Sequence, residues 1–398
     1  MAAVSILLLT SNYEKKVNSM KTLQYRNIFA EAGFDQTEIE ERIRSCFHEI
    51  FYGPDRFYHE VGTDMAYIED TGNHDVRTEG MSYGMMMCVQ MDRKAEFDRL
   101  WKWAKTYMYM TDGPNSGYFA WSVSPEGVLN ANGPAPDGED YFAMALFFAA
   151  HRWGDGEEIF YYSREARSLL RTCIHKEDYG PGRNMWDRGN RLIRFVPEYD
   201  FTDPSYHLPH FYELFSQWVD EEDREFWKEA ATASRAFLQK ACHPETGLSA
   251  EYAAFDGTPF SEFQNIFGRH DWHYSDAYRT IANIAMDYAW FGKDQRDNWH
   301  TEIAEKLQSY FCETVAEHPR GIYCIDGTVL EGTALHPVAI TATNAQAALA
   351  SKEPLSGNAL RCVREFWDTP MRRGDRRYYD NCLYMFAILA LSGNYRIY

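Results

Sequence analysis

Helical segments of two kinds alternate along the 398-residue chain, and this alternation constrains its fold more than any other feature. Six segments are amphipathic with one charged face, as helices on a protein surface are: 36–51, 93–109, 163–174, 221–241, 294–312 and 357–367. Six others are apolar nearly all round, as fully buried helices are: 79–91, 140–153, 205–218, 276–291, 337–350 and 378–391. Two concentric rings satisfy the alternation, so the sequence predicts an all-α fold, an (α/α)6 barrel of six inner and six outer helices.

The division into domains follows from the same pattern. No stretch rich in Pro, Gly or Ser interrupts the twelve segments, so we expect residues 24–398 to form a single domain. Residues 1–23 read as a flexible N-terminal extension. A helical solenoid would also alternate helices, but the chain lacks the fixed sequence period that solenoids show.

Polar side chains stand where the buried segments begin. In an alternating barrel all inner helices run in the same direction, so we expect these side chains to meet at one end of the barrel. They are Glu79, Asp137, Asp203, Tyr206, Asp276, His336, Tyr379 and Asp380. The sequence therefore predicts a polar cleft at the N-terminal ends of the inner helices.

Three carboxylates of this set have both a catalytic and a structural interpretation. Glu79 suits a general acid if burial raises its pKa, but an acid in a first helical turn also stabilises the helix dipole. Asp276 suits a general base because Arg279, three residues on, would keep it ionised. A plain ion pair at a helix start is the alternative. Asp137 follows a proline and precedes a glycine, so turn formation or helix capping also explains it.

Aromatic rings and charge indicate the class of ligand. Trp121, Trp186, Tyr206 and Tyr379 lie outside or at the ends of the buried helices, where they can stack on sugar rings or fill the core. The net charge of -19 argues against nucleic acid and anionic membranes as partners. Two histidine pairs, His207 with His210 and His270 with His273, have loosely metal-like spacing but no further ligand set. No metal site is therefore expected.

The cysteines and the N-terminus bear on location. Eight cysteines occur without a Cys-x-x-Cys pair, and several lie inside apolar helical stretches, which favours free thiols in a reducing compartment. Residues 6–9 form only a short apolar run with no basic residue before it, unlike a signal peptide. We therefore expect a cytoplasmic protein.

Four motifs, in chain order, resemble glycoside hydrolase family 8. They are "TEGMSYGMM" around Glu79, "APDGEDYFAMALFFAAHRW" around Asp137, "SDAYR" around Asp276, and "YYDNCLYMFA" around Tyr379. The second departs from the family pattern at Pro136, Glu139 and Phe142. The likeness extends over residues 24–398.

The resemblance implies the same barrel and a role for each motif. Glu79 would be the proton donor, Asp276 the base with Arg279 as its partner, and Asp137 the acid that holds the sugar at the scissile bond. Tyr379 would approach the base. The family inverts the anomeric centre, so its two catalytic carboxyls are expected about 6.5–9.5 Å apart, with room for a water. The resemblance implies neither a metal nor an organic cofactor.

Two stretches of the sequence resemble one group of enzymes within the family. "DPSYHLPHFYELF" and "LHPVAITATNA" are similar to the exo-oligoxylanases that release xylose from the reducing end of xylo-oligosaccharides. His336 precedes Pro337, which restricts its backbone, so the pair could close the cleft beyond one leaving sugar. A capped helix start explains the same residues. No obligate protein partner is indicated.

Three other functions stay open on the sequence. One is an endo-acting β-1,4-glycanase of the same family: a xylanase, cellulase or chitosanase. A second is a sugar epimerase or lyase on the same barrel, which would use His or Tyr as proton carriers. The third is a non-catalytic sugar-binding barrel.

Overall fold

The computed structural model describes residues 25–261, 269–292, 297–317, 319–355 and 357–398. The predicted extension 1–23 lies outside these residues, as does the predicted start of the fifth outer helix at residue 294. Thirteen α-helices occupy the described part. They are α1 (Ile28–Glu31), α2 (Gln36–Phe51), α3 (Thr78–Gln90), α4 (Lys94–Tyr107), α5 (Pro136–Trp153), α6 (Tyr162–Tyr179), α7 (Pro209–Trp218), α8 (Arg224–Ala241), α9 (Tyr278–Phe291), α10 (Trp299–Ser309), α11 (Pro337–Gln346), α12 (Gly357–Asp368) and α13 (Arg377–Leu391).

The helices form two rings. The odd-numbered helices α3 to α13 are the apolar ones; each packs against the next, and α13 packs against α3, which closes the inner ring. The even-numbered helices α2 to α12 each pack against an inner helix from outside. Every residue of α13 from Tyr378 to Leu391 is buried, whereas the outer α2 buries only one face. The predicted (α/α)6 barrel is confirmed.

Two inner helices begin later than their hydrophobic pattern predicts. The third starts with a 3-10 turn, Pro204–Tyr206, and becomes α-helical only at Pro209, because a proline disfavours helical backbone in the residue before it. The fourth starts with the 3-10 turn Ser275–Ala277 before α9. Other short turns are the 3-10 helices Glu158–Phe160, Glu221–Asp223 and Ala347–Ala350 and the π-helix Tyr310–Thr314.

In the part of the chain that the structure describes, seven short strands lie in connections that lead into inner helices. They are β1 (Tyr58–Val61), β2 (Met65–Ile68), β3 (Val76–Arg77), β4 (Ser122–Val123), β5 (Trp272–His273), β6 (Ile322–Cys324) and β7 (Val329–Leu330). All pairings are antiparallel: β1 with β2, β3 with β4, and β5–β6–β7 in one sheet. Strand β3 runs directly into α3 and β5 into the turn Ser275–Ala277. The strands therefore fix the direction in which two inner helices begin.

A buried ion pair anchors α9 from outside the ring. The Arg235 guanidinium of α8 donates to both carboxyl oxygens of Asp287 at 2.8 and 2.7 Å, and His300 of α10 lies 2.7 Å from the same carboxyl. Burial alone would raise the pKa of Asp287, but these hydrogen bonds hold it below its usual range. Since removing one partner of such a pair costs about 3–5 kcal/mol, the network holds α9 firmly in the barrel.

None of the described helices combines the length and apolarity that crossing a membrane demands.

Candidate active site

Arg279, in the first turn of α9, lies at the centre of a cluster of carboxyl groups. Its Nη1 donates to Glu79 Oε2 and to Asp137 Oδ2, both at 2.9 Å, and its Nη2 lies 3.4 Å from Asp276 Oδ1. The three acids stand at the starts of α3, α5 and α9. The predicted convergence of inner-helix N-termini therefore occurs, and one guanidinium faces all three carboxyls.

Glu79 is fixed by the start of α3. The Thr78 N–H donates to the Trp121 carbonyl at 3.0 Å, so the strand pair β3–β4 continues up to the helix. The Tyr378 hydroxyl of α13 donates to Glu79 Oε1 at 2.8 Å, while Arg279 holds Oε2. Both carboxyl oxygens thus have a defined donor.

The surroundings of Glu79 favour its protonated form. Burial raises the pKa of Glu79 to about 8, and the nearby carboxyls of Asp276 and Asp137 act in the same direction. Arg279 and the hydrogen bond from Tyr378 oppose this rise without cancelling it. A glutamic acid that keeps its proton near neutral pH can serve as a general acid.

Asp137 alone of the three acids at the start of α5 reaches the cluster. Its Oδ1 accepts from the Gly138 N–H at 3.0 Å, and burial raises its pKa. Glu139 instead accepts from the Phe119 N–H at 2.9 Å, and Asp140 from the Tyr212 hydroxyl at 3.1 Å. Position 138 requires a glycine on steric grounds, because a Cβ there would lie 2.5 Å from Cβ of Thr78, where α5 meets α3.

Asp276 has a different environment. Its side chain is 30% exposed, against 14% for Glu79 and 7% for Asp137, so it is the carboxyl most open to water. It lies on the turn Ser275–Ala277, in which Ser275 has a φ of 44°, a strained value for a residue with a side chain. The Tyr379 hydroxyl donates to the Ser275 carbonyl at 3.2 Å and so ties the turn to α13.

Four more of the predicted binding residues lie around this cluster. The Arg279 guanidinium is 5.6 Å from the ring centre of Tyr206 and 5.9 Å from that of Tyr379. The His336 ring lies 4.7 Å from the Tyr379 ring. Trp121 is half-buried beside the start of α3, with the Arg77 guanidinium 5.3 Å from its ring centre.

Trp186 is not part of the cleft. It is fully buried, and its ring packs edge-on against Trp227 at 4.9 Å and Tyr212 at 5.7 Å. A ring with no exposed face offers no surface to a sugar. Trp186 is therefore a core residue, and the sequence-based assignment of a stacking role to it is corrected.

Two site tyrosines were not singled out from the sequence. Tyr83 accepts a hydrogen bond from Arg279 at 2.8 Å, and Tyr378 contacts Glu79 as described. The spacing of Tyr83 was an available signal, because a residue four positions after Glu79 lies on the same face of a helix. Tyr378 precedes Tyr379 directly, and nothing in the local pattern distinguishes their directions.

One histidine of each predicted pair contacts another polar side chain, and the Sγ atoms of Cys312 and Cys362 lie 3.5 Å apart. His207 lies 2.9 Å from the Ser234 hydroxyl, and His270 lies 2.7 Å from Glu251. In the described ranges, no three side chains of His, Cys, Asp or Glu are placed to hold a metal ion together. All eight cysteines fall in these ranges and are free thiols, as predicted.

Known proteins share this arrangement of sequence and fold. Residues 56–393 match the family described as Glycosyl hydrolases family 8. The chain is 56% identical over 380 residues to the reducing end xylose-releasing exo-oligoxylanase of Halalkalibacterium halodurans, covering 95% of each chain. It is 53% identical over 377 residues to the enzyme of the same description from Paenibacillus barcinonensis, covering 94% of this chain and 97% of the relative.

Solved structures of such enzymes have the same fold as this chain. A crystal structure of a reducing end xylose-releasing exo-oligoxylanase matches with a TM-score of 0.90 at 55% identity, covering 95% of this chain and 97% of that one. The Paenibacillus barcinonensis enzyme complexed with xylose matches with a TM-score of 0.91 at 52% identity, covering 96% and 99%. The likeness thus spans both the barrel and the motifs that build its cleft, and the chain belongs to glycosyl hydrolase family 8.

Proposed function

We propose that this protein hydrolyses β-1,4-linked xylo-oligosaccharides with inversion and releases xylose from the reducing end. The observation that carries the proposal is the pairing of a buried carboxyl with a raised pKa, Glu79, and a more exposed one, Asp276, on either side of Arg279. Two carboxyls in different environments are what glycoside hydrolysis requires. The similarity to exo-oligoxylanases over 95% of the chain supports the substrate class.

The two carboxyls divide the reaction between them. Glu79 gives its proton to the glycosidic oxygen of the leaving xylose. Asp276 takes a proton from a water that attacks the anomeric carbon from the opposite face. Arg279 Nη2 lies 3.4 Å from Asp276 Oδ1, and Asp137, held by Arg279 and the Gly138 N–H, binds a sugar hydroxyl at the scissile bond.

The cut position is proposed from the start of α11. His336, before Pro337, is non-helical with a φ of -125° and a ψ of 68°, short of the fully extended backbone expected before a proline, and its Nδ1 lies 3.2 Å from Asp380 Oδ2. The other Asp380 oxygen accepts from the Ala339 N–H at 2.7 Å, and Arg372 donates to the Leu335 carbonyl at 2.6 Å. A segment held at this many points is rigid. It closes the cleft beyond one leaving sugar, and His336 hydrogen-bonds the reducing-end hydroxyl.

Labelled xylotriose tests the cut position. With heavy oxygen at the reducing end, we expect the label in free xylose and none in xylobiose, because the proposed block at His336 leaves room for one leaving sugar. Mass spectrometry of the early products reads this directly. Label retained in xylobiose, or a rapid fall in the viscosity of polymeric xylan, would show a non-reducing-end or endo-acting enzyme. Absence of any product would favour a non-catalytic barrel.

The anomeric configuration of the first product tests the roles of the carboxyls. Direct attack by water on a β-linked substrate gives an α-configured sugar first, and mutarotation produces the β form later. Proton NMR during the first minutes of hydrolysis should therefore show the α signal before the β signal. A β signal appearing first would indicate a covalent intermediate and would exclude Asp276 as a simple base.

The place of action is proposed on chemical grounds. Eight free thiols persist most readily in a reducing compartment, which supports the cytoplasm. Xylo-oligosaccharides small enough to be imported are the substrates that such an enzyme would meet there.

A further inference from the structure

Tyr378 is a neutral residue that contacts the Glu79 carboxyl directly, and its position is tightly determined. It lies in the first turn of α13, is 2% exposed, and donates its hydroxyl to Glu79 Oε1 at 2.8 Å. Its ring also meets Phe57 edge-on at 5.8 Å. The hydroxyl therefore reaches Glu79 from a ring that is packed on its other side.

Gly80 makes this contact possible. A Cβ built at Gly80 would lie 2.7 Å from both Cε2 and Oη of Tyr378, closer than such atoms approach in proteins. Any other residue at position 80 would push the ring away from Glu79. Gly80 thus leaves the space that the Tyr378 ring needs to reach Glu79.

The remaining groups around Glu79 do not repeat what Tyr378 does. Seven other groups interact electrostatically with Glu79. They are the cations Arg77 and Arg279, the carboxyls of Asp137 and Asp276, and the neutral Tyr83, Tyr379 and Cys382. Within the described chain, only Arg279 of these groups donates a hydrogen bond to the Glu79 carboxyl, and it holds Oε2 while sharing the same nitrogen with Asp137. Oε1 depends on Tyr378.

We propose that Tyr378 is a positioning residue for the general acid: it fixes the Glu79 carboxyl and stabilises the carboxylate that remains once the proton has passed to the leaving sugar. The proposal rests on the role of Glu79 proposed above. A hydrogen bond to an ionised carboxylate is stronger than one to the neutral acid. The bond from Tyr378 therefore strengthens as negative charge develops on Glu79 during proton transfer, which lowers the barrier.

The variant Tyr378→Phe tests the proposal, because it keeps the ring above Gly80 and removes only the hydroxyl. We expect kcat for xylotriose to fall about 10- to 100-fold, the usual worth of a hydrogen bond to a charged group, with little change in KM. The hydroxyl lowers the pKa of Glu79, so its loss raises that pKa. Since the acid works only while protonated, the alkaline limit of the kcat–pH profile should move to higher pH.

Matched variants separate this role from simple packing. Tyr384→Phe, on the same helix, removes a buried hydroxyl that donates to the Thr369 carbonyl at 2.9 Å instead of to Glu79, and should leave kcat and the pH profile unchanged. Gly80→Ala should reproduce the loss in kcat by displacing the Tyr378 ring. Gly84→Ala crowds Ile68 and Leu100 instead and should not.

Two results would overturn the inference. One is a Tyr378→Phe enzyme with wild-type kcat and pH profile. The other is a loss of kcat with an unmoved alkaline limit, which would mean that Tyr378 acts only through packing. Glu79→Gln is measured beside them: full activity in that variant would refute the proposed acid itself, whereas its inactivity with an unaltered Tyr378→Phe would refute the role of Tyr378 alone.

Discussion

Replacing Asp276 with Asn is expected to lower kcat for xylotriose by about 10²- to 10⁴-fold while leaving the fold intact, which is what one general base contributes. The amide has the size of the carboxyl but cannot take a proton from water. The turn Ser275–Ala277 is held through the Ser275 carbonyl by Tyr379, so the backbone does not depend on the exchanged atom. Steady-state kinetics, with circular dichroism to verify folding, give the result.

A nearby aspartate provides the control. Asp271 lies five residues earlier in the same segment, and its carboxyl pairs with the exposed Arg269 instead of Arg279. Asp271→Asn should keep wild-type kcat. If Asp276→Asn also kept it, a mechanism without this base would be required, such as an epimerase that uses a histidine as its proton carrier.

The fold was predictable because burial follows from helical periodicity. A helix that is apolar on every side has to be surrounded, and six such helices separated by amphipathic ones leave few arrangements. Their order alone places Glu79, Asp137 and Asp276 at one end of the barrel. The α-helix α7 starts only at Pro209, and this late start could also have been predicted, because the proline is visible in the sequence.

The surroundings of the acids were less predictable because they depend on helix rotation and on the packing of connections. Tyr378 and Tyr379 are neighbours, and adjacent residues of a helix point about 100° apart. Helical periodicity alone does not reveal which of them faces Glu79 and which faces the Ser275 carbonyl; only the family resemblance implied that Tyr379 approaches the base.

Trp186 illustrates the same limit in a long connection. Its segment folds back on α6, with the Met185 N–H donating to the Cys173 carbonyl at 2.8 Å and Trp186 bridged to Ile193. Arg194 is 4% exposed and lies 2.7 Å from Asp187, which ties the segment down. A position between helices suggested access to ligand, but these contacts turn the indole inward.

Replacing Glu79 with Gln is expected to lower kcat by about 10²- to 10⁴-fold, since the amide cannot protonate the leaving oxygen. The same group should set the alkaline limit of the wild-type enzyme. Its pKa is raised to about 8, so activity should be lost as the pH rises through about 8 and Glu79 gives up its proton. Glu225→Gln, on the exposed surface of α8, is the control and should change neither quantity.

The raised pKa of Glu79 also predicts how the stability of the Glu79→Gln variant compares with wild type at different pH values. The ordinary pKa of a glutamate is 4.5, and in the folded protein that of Glu79 is about 8, so between these values the folded state binds a proton that the unfolded chain has released. The free energy of unfolding therefore falls as the pH rises through this window. The amide of the Glu79→Gln variant does not titrate, so the variant escapes this loss. Relative to wild type, it should raise the thermal midpoint more at pH 9 than at pH 4, by differential scanning calorimetry. An equal difference at both pH values would show that Glu79 carries no raised pKa and would leave the alkaline limit to another group.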